Sequence, residues 1–266
     1  MKQVSLAASV FVVALIATWA VPAHAKKCPA DSVAVGMLCV DTYEASVWSI
    51  PPTATSLIKK VQKGKAVLAD LTAGGATQIS PSSSCTPAFP GTFAANGQWT
   101  APLYAVSIAG VRPTACVTWF QAEQACRLSN KRLLTNQEWQ AAVAGSPDPG
   151  PDNGTTDCNT TTAGDAVNTG SRSSCKSSWG AFDMVGNVEE WVADWVPAAT
   201  ACPGWGGFSN DFMCLSGADT TANGPGALLR GGAFSAFGAG AGPLTVRAFD
   251  QPSDGSGGDV GFRCAR

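Results

Sequence analysis

Cysteine and histidine are the side chains best suited to covalent and metal chemistry, and this 266-residue chain uses them very unevenly. It has ten cysteines, Cys28, Cys39, Cys85, Cys116, Cys126, Cys158, Cys175, Cys202, Cys214 and Cys264, against one histidine, His24. No two cysteines form a C-x-x-C pair, so neither a zinc site nor a thioredoxin-type redox pair is suggested. An even cysteine count in a chain bound for an oxidising compartment reads as disulfides. Local loops suggest Cys28–Cys39, Cys158–Cys175 and Cys202–Cys214. That leaves Cys85, Cys116, Cys126 and Cys264 for two longer closures. If all ten pair, no thiol remains for catalysis.

The start of the chain sets the compartment and disposes of the histidine. Lys2 gives a positive start, residues 4–21 are almost wholly apolar, and Ala23-His24-Ala25 is a small-x-small cleavage pattern. Residues 1–25 read as a secretory signal peptide and residues 26–266 as one domain. The expectation is a bacterial protein, secreted or periplasmic, with no membrane span after cleavage. His24 leaves with the signal, so residues 26–266 contain no histidine. That excludes Ser-His-Asp and Cys-His nucleophile systems and any metal site that needs imidazole.

Carboxylates remain. Asp41 and Glu44 could pair for acid–base work, but they read more simply as ordinary hairpin residues. The formal net charge is −2 and there is no basic stripe. Nucleic acid and anionic membranes are therefore not expected partners.

The elements that must position these groups are short. Only 14% of residues are charged, while Gly (29) and Pro (17) are plentiful, which fits a loop-rich α+β fold and not a helical bundle. Residues 28–48 read as a hairpin, with β-type runs at 33–35 and 38–40 around Gly36. Residues 57–71 predict a short helix and residues 74–97 a polar loop. Residues 118–129 predict a helix with Trp119, Ala122, Cys126 and Ser129 on one face. Thr135 and Glu138 form a capping box that opens a second main helix, running to about Ala144 and closed by Gly145. Residues 131–134 between the two read as a strand. Residues 146–178 read as a long loop and residues 228–266 as closing strands. Trp119, Trp139, Trp191 and Trp195 read as core and not as a stacking platform for a ligand.

Four separated segments, in order, resemble the formylglycine-generating-enzyme (sulfatase-modifying-factor) family. They are Cys39-Val-Asp-Thr-Tyr-Glu44, residues 117–145 (VTWFQAEQACRLSNKRLLTNQEWQAAVAG), residues 184–195 (MVGNVEEWVADW) and the LRGG…VGFRCAR of residues 229–266. The resemblance implies a C-type-lectin-like α+β fold with short antiparallel strands and two main helices. It also implies a long-range disulfide between Cys126 and Cys264. It further implies a calcium-binding region over Asn187, Val188, Glu189, Glu190 and Asp194, with Asn187, Val188 and Glu190 as its ligands, where hard oxygen donors would suit that ion. The same residues also read as an acidic turn beside Trp191 and Trp195. Calcium is the only cofactor suggested.

One departure from the family pattern bears on function. The family's oxidases hold copper(I) with two thiolates shortly after R-G-G-S-x, because soft ligands select that ion. The matching stretch here, residues 230–242 (RGGAFSAFGAGAG), has no cysteine. The iron-dependent branch of the family needs histidines that residues 26–266 lack.

That stretch instead resembles the C-terminal variable regions of retroelement-diversified proteins that share this fold. The matches are Arg230-Gly-Gly-Ala-Phe234, Ala241-Gly-Pro-Leu-Thr-Val246, Pro252-Ser253 and Gly261-Phe-Arg-Cys-Ala265. Such systems randomise the adenines of Asn codons, which can yield Phe, Ser, Ala, Gly, Arg or Asp but not Lys, Glu, Gln, Met or Trp. Between residues 233 and 260 only Gln251 belongs to the second set. The reading is a secreted, non-catalytic module that binds a protein or surface ligand through loops on a rigid scaffold. Its candidate contacts are Ser235, Ala236, Phe237, Arg247, Phe249, Asp250, Asp254, Ser256 and Gly257. The alternative is a formylglycine-generating oxidase acting on a protein cysteine.

Overall fold

A computed structural model describes residues 27–81, 83–89, 101–148, 152–219, 224–236, 238–255 and 257–266. The expected signal peptide and two candidate contacts, Phe237 and Ser256, lie outside these residues.

The chain opens with the expected hairpin, β1 (Ser32–Val35) and β2 (Leu38–Asp41), which pairs Val33 with Val40 and turns at Gly36. After β3 (Ser46–Ser49) come α1 (Thr55–Gln62) and α2 (Leu68–Ala73). The one helix expected over residues 57–71 is therefore two. The break is at Gly64, whose φ is +62° and where a Cβ would collide with Asp31. The stretch expected as polar loop also contains a strand. β4 (Thr77–Ile79) and β5 (Leu103–Val106) flank β3 in an antiparallel sheet, with Val47 between Ile79 and Ala105.

α3 (Trp119–Leu128) and α4 (Asn136–Ala142) are the two helices of the family motif. Both start on a capping box. Thr135 accepts from the Glu138 N–H while Glu138 accepts from the Thr135 N–H, and Thr118 and Gln121 repeat the arrangement. β6 (Arg132–Leu133) joins them. Then come β7 (Glu189–Val196), β8 (Met213–Cys214), β9 (Gly226–Arg230), β10 (Val246–Arg247), β11 (Val260–Phe262) and β12 (Cys264–Ala265).

The order β1-β2-β12-β6 places the last strand beside the opening hairpin, so the chain closes on itself, as the family resemblance implies. The larger sheet has the order β11-β7-β9-β10-β8. Glu189 pairs with Val260, Glu190 with Arg230, and Val246 with both Arg230 and Met213. Hence β7, β8, β10 and β11 all begin, and β9 ends, at one end of this sheet. Trp139, Trp191 and Phe262 are buried in the core around it. Trp195 is not core: it is 42% exposed and meets Trp119 edge-on at 4.9 Å.

All ten cysteines are paired. Cys28–Cys39, Cys158–Cys175 and Cys202–Cys214 close the local loops, Cys126–Cys264 ties α3 to β12, and Cys85–Cys116 is the fifth bridge. Five disulfides fit an oxidising compartment outside the cytoplasm. Among the described residues, no helix is long and apolar enough to cross a membrane.

Candidate functional site

Successive side chains on a strand point to opposite faces, and β7 starts with two glutamates. Glu190 faces the interior. Its carboxylate accepts from Arg263 Nε at 2.7 and 2.9 Å and from Trp139 Nε1 at 2.7 Å. Arg263 is itself buried, and it also donates to the Asp41 and Phe182 carbonyls at 3.1 and 2.8 Å. Glu44, read from sequence as a hairpin residue, is fully buried beside this pair. It accepts from the Asn187 amide and from the Val188 N–H. Burial, with the Asp183 and Glu190 charges adding to it, pushes Glu44 well above the usual carboxylate range. Burial pushes Asp183 up to about 7. Asp41, pushed up to about 6 by burial, lies 2.7 Å from Lys131 in a second closed cluster with Asp31. These carboxylates have no access to a substrate, so Asp41 and Glu44 are not an acid–base pair.

The residues expected to hold calcium lie in this interior, and their donors do not fit the ion. Asn187 Oδ1 already accepts from Asn159 Nδ2 at 3.1 Å and the Val167 N–H at 2.8 Å. The Asn187 carbonyl accepts from the Phe234 N–H at 3.0 Å, and both Glu190 oxygens are taken by Arg263 and Trp139. Calcium needs oxygens that are free to turn toward it. Asn187, Val188 and Glu190 instead serve as a hydrogen-bonded junction between Glu44 and β7.

Glu189 faces the other way, into a cleft of about 400 Å³ at the sheet end where four strands begin. Arg230, paired with Glu190 on β9, lays its guanidinium over the Trp139 ring at 4.4 Å, and burial pulls its pKa down to about 10. The following Gly231 and Gly232 turn the chain sharply, at φ +85° and +74°. A Cβ at Gly232 would lie 2.3 Å from the Gly240 carbonyl oxygen. This turn delivers Ala233, Ser235 and Ala236 to the cleft wall. β10 supplies Arg247, and Phe249 follows it. On the far side stand the Cys202–Cys214 disulfide and Phe212.

The cleft is electrostatically busy. Arg247 Nη2 pairs with Glu189 and lies 3.4 Å from Asp250. Asp259, just before β11, accepts from the Ser235 hydroxyl at 3.0 Å. Burial pushes Glu189 up to about 7, and Asp259 and Asp250 add to the effect against Arg247. Asp250 is raised as well, chiefly by burial, with Asp254 and Asp259 adding to it.

Four of the candidate contacts, Ser235, Ala236, Arg247 and Phe249, are thus brought together, and Asp250 joins through Arg247. Asp254 is exposed on the adjacent turn. Gly257 faces elsewhere: its carbonyl accepts from the Cys116 N–H at 3.2 Å. Sequence reasoning missed Glu189, Asp259, Phe212 and the Cys202–Cys214 disulfide as cleft residues. One signal was present. A short disulfide loop holding Trp205, Phe208 and Phe212 among glycines is too small to bury its own aromatics, so it must display them.

The donor set of the cleft does not fit copper(I). Its sulfurs belong to a disulfide, and soft-ion binding needs thiolates.

Among curated proteins, none matches the sequence. Among solved structures, the chain is similar to the I1 variant of the major tropism determinant, at 16% identity and a TM-score of 0.47 over 90% of this chain. It covers 54% of that protein, so it spans about half the length of the tropism determinants it matches. It is also similar to variable protein 1 of Treponema denticola, at 18% identity and a TM-score of 0.40 over 86% of this chain and 84% of that one. A third similarity is to CarF, at 15% identity and a TM-score of 0.41 over 86% and 85%. The family described as "Sulfatase-modifying factor enzyme 1-like domain" matches residues 93–266, which is more than half of the chain. The protein accordingly belongs to the sulfatase-modifying factor enzyme 1-like domain family.

Proposed function

We propose that this chain is a secreted, non-catalytic binding module that takes a protein or surface ligand in the cleft at the end of the large sheet. The supporting observation is the convergence of Ser235, Ala236, Arg247 and Phe249 on one cleft whose floor is an ordered sheet. A binding face on a rigid floor loses little conformational freedom when a partner docks. The chemistry of the lining points the same way. It contains no thiolate and no imidazole, so neither a soft metal ligand nor a Cys–His or Ser–His nucleophile pair is at hand. On this reading, residues 233–260 are the part of the scaffold that varies, and the glycine turn and the disulfides hold it in place.

The reading is tested by selecting displayed peptides against the wild-type chain and against a variant with Arg247→Ala and Phe249→Ala. Clones that bind the wild type should lose binding to the variant; clones that bind both equally would sink the reading. A second assay offers a cysteine peptide with copper(I) and oxygen. No aldehyde should form, and turnover would restore the oxidase alternative. Diversification is tested in the DNA flanking the gene. A second copy of the codons for residues 233–260, differing only at adenines and lying beside a reverse transcriptase, is the expected finding.

A further inference from the structure

We infer that the cleft receives a lysine or arginine side chain from a partner polypeptide, while the aromatics of the Cys202–Cys214 loop pack on the apolar residues that flank it. The inference rests on the binding reading above and adds the chemistry of the ligand.

The charge count comes first. Arg247 is the only cation lining the cleft among the described residues, and Glu189 and Asp250 already share it. Asp259 lines the same space with the neutral Ser235 hydroxyl as its donor. One guanidinium therefore faces three carboxylates, Glu189, Asp250 and Asp259. That excess of acid over base makes the cleft negative; burial is the main cause of the upward shifts of Glu189 and Asp250, and the neighbouring acids add to it against Arg247. An incoming cation would relieve that negative charge, whereas an incoming carboxylate or phosphate would deepen it.

The walls fit the same ligand. Phe212 and Phe249 are 45% and 41% exposed and line the space between the charges. Aromatic faces attract ammonium and guanidinium groups, more strongly where water is partly excluded. At about 400 Å³ the cleft is near the small end of ligand sites, which suits one long side chain better than a folded element.

The rim argues for a polypeptide and against a free small cation. Phe208 is 80% exposed and Trp205 37% exposed on the disulfide loop whose sulfurs line the cleft. The loop is fastened on the cleft side: Trp205 Nε1 donates to the Leu244 carbonyl at 3.2 Å and the Phe212 N–H to the Ala239 carbonyl at 2.9 Å. Rigid exposed aromatics around a polar centre are the usual anchors of a protein interface. They would meet apolar residues on either side of the inserted cation.

The test titrates the full secreted chain, by calorimetry, with three capped tripeptides: Leu-Arg-Leu, Leu-norleucine-Leu and Leu-Glu-Leu. The arginine peptide should bind at least about tenfold more tightly than the norleucine peptide, the scale of one well-placed charge interaction. The glutamate peptide should be weakest. Binding of the arginine peptide should weaken as salt is raised. Asp259→Asn, nearly isosteric, should lower its affinity several-fold, and Phe208→Ala should weaken the arginine and norleucine peptides by similar factors. Equal binding of the arginine and norleucine peptides, a preference for glutamate, or no binding of any peptide would overturn the inference. A preference for glutamate or norleucine that still depends on Arg247 and Phe249 leaves the binding reading standing. Copper-dependent turnover would remove that reading itself.

Discussion

Glu190 meets Arg263 and Trp139 in an interior closed to water, whereas Glu189, one residue earlier on β7, meets Arg247 across an open cleft. Strand alternation alone separates them. In the interior, these two carboxylates are matched by donors: Glu190 is held by Arg263 and Trp139, and Glu44 by Asn187 and Val188. Such an arrangement ties the opening strands, β7 and the last strands into one geometry and offers nothing to a ligand. In the cleft, one arginine is divided between two acids and others stand nearby, so part of the charge is left for a partner. Buried ion pairs of the first kind contribute little net stability but are costly to break. Those of the second kind are cheap to break and useful to bind with.

The comparison is tested most severely by removing the two arginines. Arg263→Met leaves Glu190 buried without its cation and should cost ~3–5 kcal/mol in urea denaturation. Arg247→Met should cost no more than about 1 kcal/mol, because its pairs are partly open to water and Glu189 can take up a proton near neutrality. Equal losses would erase the distinction between the two sites. The next largest effect is expected at the turn that builds the cleft wall. Gly232→Ala combines a left-handed backbone with a Cβ driven against the Gly240 carbonyl, and should cost ~2–3 kcal/mol in the same measurement.

Titration sharpens the contrast further. Asp183 and Glu189 both bind protons more tightly when folded, up to about 7, than the unfolded chain does near ~4. Their contributions to stability are therefore full below ~4 and are lost as pH rises to about 7. Asp183→Asn and Glu189→Gln should each flatten the fall measured by denaturation between those pH values. Occupancy of the cleft by a cation should remove only the Glu189 share, because Asp183 is out of reach. The smallest effect concerns the support beneath both sites. Thr135→Ala removes a cap from α4, which carries Trp139, and should lower stability by about 1 kcal/mol without changing peptide affinity.

Much of this architecture was legible beforehand because its causes are local. The hairpin around Gly36, the Thr135–Glu138 box and the three short-loop disulfides each depend on residues within a few turns of one another. Cys126–Cys264 could not be read that way; it followed from the family resemblance. The β4-β3-β5 sheet was missed because β4 is only three residues long and sits in a polar stretch. Its strand character comes from Val47 across the sheet and not from its own pattern. Helix continuity over residues 57–71 failed for a similar reason: Gly64 turns where Asp31 leaves no room for a Cβ.

The sequence by itself determined that residues 26–266 carry no histidine, that ten cysteines would be bridged, and that the segment after Arg230-Gly-Gly would present small and mixed side chains from loops. Only the tertiary structure decided which charges are structural and which are available. Glu44 finds Asn187 from 143 positions away, and Arg263 finds the Asp41 carbonyl from 222. Whether a carboxylate is buried with a matched donor or left at a cleft depends on such distant closures, because burial and Coulomb energy follow distance in space and not along the chain.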